Sequence, residues 1–183
     1  MPRVQPVEHS QTVGDVRAAY ERVLAEHGRI TNMKRTLLRS MPAFRALMEW
    51  YPLRDAVEQF LGERLTNIYC HAISSQTDCL ICSTFFRRLL IDSGEDPDDF
   101  ALDERETAVV EFGRCLATPS ARVPDDVFQR LAAFFDEQQI VALTAFGAMM
   151  VATNIFNNAL EVDLDGYLEP YRKTNRGSAE ISP

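Results

Sequence analysis

A chain of 183 residues suits one domain, 1–183, with a sizeable core, and 46% hydrophobic with 25% charged residues is ordinary globular composition. A net charge of −8 argues against a nucleic-acid binder, and Lys34-Arg35 and Arg87-Arg88 are too short to supply a basic face. The sequence is read as having no apolar run near the roughly 18 residues that span a bilayer, and MPRVQPVEHSQ lacks a signal core, so a cytoplasmic protein with no membrane partner is expected.

Helical periodicity runs through almost every ordered stretch. Val13, Val16, Tyr20 and Val23-Leu24 form one stripe over Val13 to His27, and Gly28 is a natural stop. Further helical stretches, Met33–Ser40 and AFRALMEW, are expected to break at Pro42 and Pro52. From Leu53 to Ile73 apolar residues recur every three or four positions, which reads as one long amphipathic helix that tolerates Gly62. SSQTD then turns the chain, with Thr77 or Asp78 as the cap of the helix CLICSTFFRRLLID, closed by Gly94.

Beyond the acidic loop GEDPDDF, Asp103 with Glu106 resembles a capping box for ERETAVVEFGRCLA. Pro124 suits the start of DDVFQRLAAFF, and Asp136 with Gln139 opens the apolar helix that ends at NNAL. The ends, 1–11 and 172–183, are expected to be flexible. No strand ladder, hairpin dipeptide or internal repeat is visible. The fold class is all-α.

The chemistry concentrates at Cys79-Leu80-Ile81-Cys82. Behind a cap at Asp78, Cys79 falls at the start of a helix, where free backbone N–H groups and the macrodipole favour a thiolate. Residues three apart share a helical face, so the two sulfurs can meet in a disulfide. Redox use, a metal site and two incidental buried cysteines all fit this spacing. A zinc site would have to draft Cys70 or His71, and adjacent helical residues point about 100° apart, which makes them poor joint ligands. Cys70 and Cys115 read as buried, inert thiols. Asn154, Asn157 and Asn158 are unusual in so apolar a helix and are expected to satisfy backbone groups at an interface.

The order of these features is what resembles a known family. From about residue 63 to 168 a long helix, a short turn, TDCLICSTFFRR, the acidic loop, LDERETAVVEFGRCLA and a small-residue-rich helix ending NIFNNALEVDLD follow one another. This resembles the carboxymuconolactone decarboxylase superfamily, in its alkyl hydroperoxidase D-like (AhpD-like) branch. The resemblance implies a helical domain with the CxxC at the N-terminus of a core helix. It further implies homo-oligomers (trimers or hexamers) and thiol-dependent peroxidase or disulfide reductase activity through a reversible Cys79–Cys82 disulfide. No metal or other cofactor is called for. The partners implied are a small hydroperoxide and a thiol protein as electron donor or acceptor.

The family pattern is Glu, eleven residues, Cys-x-x-Cys, three residues, His. Cys79 and Cys82 match, whereas Asn67 and Phe86 occupy the Glu and His positions, so the family's proton relay is missing. Carried over, the family roles make Cys82 the peroxide-reacting thiol and Cys79 the resolving one, although the helix-terminus argument alone favours Cys79 as the more acidic. His71 lies four residues after Asn67, one turn closer to the CxxC, which makes it a candidate base with Asn67 orienting it. Two other functions compete: a lactone-processing decarboxylase of the same superfamily, and a non-enzymatic redox-sensing or helical binding module.

Overall fold

The computed structural model describes residues 1–173, and among them nine α-helices and no strands are found. They are α1 (Gly14–His27), α2 (Asn32–Leu37), α3 (Met41–Met48), α4 (Trp50–Leu61), α5 (Glu63–Gln76), α6 (Leu80–Asp92), α7 (Glu104–Leu116), α8 (Asp125–Ala132) and α9 (Glu137–Leu160). A short 3-10 turn, Gly166–Tyr171, follows. Both acidic capping boxes form: Asp103 with Glu106 and Asp136 with Gln139 exchange side-chain and backbone hydrogen bonds at 2.8 and 3.1 Å.

Several boundaries differ from the sequence expectation, each for a local reason. Pro42 and Pro52 do not break helices; they sit in the first turns of α3 and α4, where the missing N–H costs nothing. The long helix expected over Leu53–Ile73 is two, because the chain bends at Gly62 with φ 80° and ψ 160°, a conformation open chiefly to glycine. The cap expected at Thr77 or Asp78 is Cys79 itself, since Asp78 turns the chain in a left-handed conformation with φ 50°.

Segment 1–11 is docked rather than free. Arg3 N–H donates to the Leu160 carbonyl at 2.9 Å, Val7 N–H donates to the Arg35 carbonyl at 3.1 Å, and Val7 is buried. At the other end, Tyr171 donates its hydroxyl to Asp92 at 2.9 Å, and the rest of the expected flexible tail, from 174 on, lies outside the described residues.

At the centre stands α5, whose residues from Leu65 to Cys70 are all buried, as expected of a helix wrapped on all sides. It packs against α4, α6, α7 and α9. Tyr69 lays its ring against Gly113 of α7 and Gly147 of α9 and donates its hydroxyl to the Leu143 carbonyl at 3.0 Å. A methyl group at Gly147 would overlap that hydroxyl and Leu116, so the glycine permits the close helix approach. A second, smaller core forms from Val7, Ala19, Tyr20, Val23, Leu37, Leu38 and Phe44, joined to the first through Met33 and Phe156.

By length and composition α9 is apolar enough to cross a membrane, contrary to the reading that no run approached that length. Its buried residues, Leu143, Phe146, Met150 and Asn154 among them, serve the protein core.

Candidate functional site

The α5–α6 hairpin presents the two cysteines at its turn. Cys79 is the cap residue of α6, its own N–H donating to the Ser74 carbonyl at 3.0 Å, and Cys82 lies in the first turn above it. Both are free thiols. Three asparagines of α9, spaced so that they share one face, hold this turn from behind. Asn154 donates to the Thr77 hydroxyl at 2.8 Å and Asn158 to the Thr77 carbonyl at 3.0 Å. Between them, Asn157 donates to the Cys82 sulfur at 3.2 Å and reaches the Cys79 sulfur at 4.0 Å and the Met33 sulfur at 3.5 Å. The sequence flagged these amides for backbone duties at an interface. Only Asn158 serves a backbone group, and Asn157 serves the thiols.

The two thiols titrate as a pair. Cys79 is held below the ordinary thiol value, first by hydrogen bonding with the Cys82 side chain, against the penalty of burial, with the backbone amides of Cys82 and Ile81 and the Asn157 amide adding to it. Cys82 is pushed well above that value by the same partnership with Cys79 and by burial. One proton therefore leaves the pair easily and the second is retained. Acidity and access fall on different sulfurs: Cys79 has 0% exposure, whereas Cys82, at 6%, lines a cavity of about 500 Å³.

That cavity lies between α6 and the helices α1–α4. Its aromatic walls come from Trp50, Tyr51, Phe85, Phe86 and Tyr167, and its polar lining includes Lys34, Arg54 and Arg88. Phe86, at the position of the family's histidine, contributes a ring, which stands 6.3 Å from that of Trp50.

His71 and Asn67 are placed apart from the sulfurs' hydrogen bonds. Among the described residues, neither thiol is bonded by either side chain. The His71 ring stands edge-on to Phe100, and burial, followed by the charge of Arg87, holds its pKa down to about 4. Asn67 is buried with its Oδ1 unpartnered. Cys70 is fully buried with its thiol pushed up by desolvation, and Cys115 is half-buried with its thiol raised for the same reason. Among the described residues no three His, Cys, Asp or Glu side chains converge as a metal-binding group.

Sequence reasoning singled out the cysteines but missed Asn157 as their donor and Lys34 as a cavity residue. The three asparagines in an apolar helix were the available signal for the first. Nothing local in the sequence marked the second.

Neither a protein-family model nor a curated protein sequence matches the chain. Solved structures do match. The debrominase Bmp8, in its apo form, superposes with a TM-score of 0.76 at 17% identity, over 92% of this chain and 95% of that one. A cysteine-to-alanine variant of Bmp8 in complex with 2,3,4-tribromopyrrole gives 0.77 at 16% identity, over 92% and 94%. A peroxidase-related protein with an alkylhydroperoxidase AhpD core, from Ralstonia eutropha JMP134, gives 0.68 at 18% identity, over 91% and 94%. The chain thus has the AhpD-like helical fold of these structures.

Proposed function

We propose that the protein is a two-cysteine thiol oxidoreductase that reduces a hydroperoxide, with Cys82 as the attacking sulfur and Cys79 as both its base and its resolving partner. One observation carries this reading: Cys79, at the helix terminus, is the more acidic thiol of the pair, while Cys82 and not Cys79 opens on a cavity.

In the singly ionised pair the Cys82 proton passes to the Cys79 thiolate. The Cys82 sulfur then attacks the terminal peroxide oxygen, the O–O bond breaks, and the departing alkoxide takes a proton from solvent. The Cys79 thiol next attacks the Cys82 sulfenic acid, releasing water and closing the disulfide. An external dithiol restores the pair. The Cys79 thiolate thus stands in for the absent glutamate–histidine relay, which leaves no base role for His71. Asn157 stabilises the charge wherever it resides in the pair.

Thiol titration followed by disulfide mapping tests this, in a Cys70→Ala/Cys115→Ala background. The wild-type pair should lose one proton below the ordinary thiol range and form Cys79–Cys82 with peroxide. Cys79→Ser should stop at a Cys82 sulfenic acid and Cys82→Ser should not react. A Cys82→Ser variant that still consumes peroxide refutes the assignment.

The aromatic cavity favours a second reading, in keeping with the likeness to a debrominase: reductive dehalogenation of an aryl halide. Cys82 would take the halogen, the aryl carbon a proton, and Cys79 would displace halide to form the same disulfide. Halide release without peroxide selects this reading.

We further infer that copies assemble through α9. Its outer face exposes Val141 (68%) and Ile155 (60%) with Ala145, Ala148 and Ala152 between them, an apolar stripe of the kind that marks an interface.

A further inference from the structure

The cavity over Cys82 holds a buried cation whose only opposing charge is the more distant Glu26, with which it makes no ion pair. Lys34 of α2 is only 5% exposed and lines the cavity, yet among the described residues it forms no ion pair and its ammonium donates no hydrogen bond. Its nearest aromatic support is the Tyr51 ring, whose centroid lies 4.8 Å from Nζ. A single ring face offsets only part of the cost of desolvating an ammonium.

The neighbouring charges do not complete it. Arg54 is paired with Glu58 at 2.6 Å. Arg88 is paired with Asp92 at 3.9 Å and lies over the Phe85 and Tyr167 rings, its Nε buried and unpartnered. Glu63 and Asp165 also line the cavity, but neither lies within ion-pair distance of Lys34, and Asp165 accepts the Asn32 N–H at 2.9 Å. Trp50 also lines the cavity, with its indole Nε1 buried and without an acceptor. Lys34, Arg29, Arg54 and Arg88 thus share this wall with Glu63 and Asp165, and Lys34 alone of the cavity's buried charges has neither an ion pair nor a hydrogen bond to its charged group among the described residues.

We propose that the cavity binds a planar organic monoanion of the aromatic carboxylate class, its carboxylate on the Lys34 ammonium and its ring among Tyr51 and Phe86, beside the Cys82 sulfur. Burial lowers the Lys34 pKa to about 8, so the side chain still carries its charge at neutral pH, and a bound anion restores what burial removes. The substrate class that follows is a hydroperoxide carrying an aromatic carboxylate. Its standing as a substrate rests on the thiol chemistry proposed above, whereas the binding of the anion does not.

Trp50 is the sole tryptophan, so intrinsic fluorescence reads the cavity directly. Reduced full-length protein is titrated with benzoate, with its neutral isostere benzamide, and with inorganic phosphate. Benzoate should saturate the signal, and benzamide should bind roughly tenfold or more weakly, as expected for loss of a charge-assisted hydrogen bond. Lys34→Met should lose benzoate affinity by a similar factor, and Lys34→Arg should recover most of it. Equal affinity for benzoate and benzamide, displacement of benzoate by equimolar phosphate, or undiminished binding by folded Lys34→Met overturns the proposal. If Lys34→Met does not fold, the benzoate–benzamide comparison on wild type decides alone. Absent benzoate binding with intact peroxide-driven disulfide formation refutes the anion site only. Benzoate binding without such a disulfide refutes the thiol reading only.

Discussion

Replacing Asn157 by leucine separates the chemistry of the thiol pair from the stability of the fold. The side chain is buried, and its Nδ2 donates to the Cys82 sulfur at 3.2 Å and points toward Cys79 at 4.0 Å, while its Oδ1 has no partner. A hydrogen bond to a charged group contributes about 1.5–3 kcal/mol. The first ionisation falls on Cys79, which the Asn157 amide helps to hold low beside Cys82 and the backbone amides, so its loss raises that ionisation. Leucine has a similar volume and also removes an unsatisfied buried acceptor, so the unfolding free energy should hold within about 1 kcal/mol. The assay follows thiolate ultraviolet absorbance against pH in the Cys70→Ala/Cys115→Ala background, beside a urea melt of the same protein. A first ionisation unmoved in a folded Asn157→Leu protein refutes Asn157 as the thiolate's donor.

Three further outcomes are expected. His71 is neutral in the fold because its pKa is lowered to about 4, so the unfolded chain takes up a proton first on acidification. The stability this residue contributes is complete above about pH 6.5 and lost as pH falls toward 4, by up to about 3 kcal/mol. In His71→Gln, urea melts at neutral and mildly acidic pH should differ less than in wild type, while the thiol titration stays in place; a displaced titration would return His71 to the base role. Gly147→Ala pushes a methyl group into the Tyr69 hydroxyl and Leu116, and thermal unfolding should show a loss of about 1–3 kcal/mol. Unchanged stability would mean that Tyr69 yields freely. Finally, Val141→Lys with Ile155→Lys should leave helix content intact and reduce the molar mass seen by light scattering, and an unchanged mass sinks the α9 interface.

Local chemistry wrote much of this protein openly in its sequence. The stop at Gly28 and the capping boxes at Asp103 and Asp136 depend on residues within one turn of each other, so they were legible without tertiary information. The spacing of Cys79 and Cys82 likewise placed two thiols on one helix start. What surrounds those thiols was not legible, because it comes from residues distant in the chain. Asn157 lies 75 residues beyond Cys82, and Lys34 reaches the same cavity from the other side of the sequence. Local patterns also misled where backbone geometry decided. Gly62 adopts a bend that hydrophobic periodicity cannot report, and Asp78, expected as the cap, turns left-handed and hands that position to Cys79. Periodicity and capping are short-range and survive in the sequence. The opposite shifts of two neighbouring thiols, and a lysine buried without an ion pair, exist only after packing has excluded water around them.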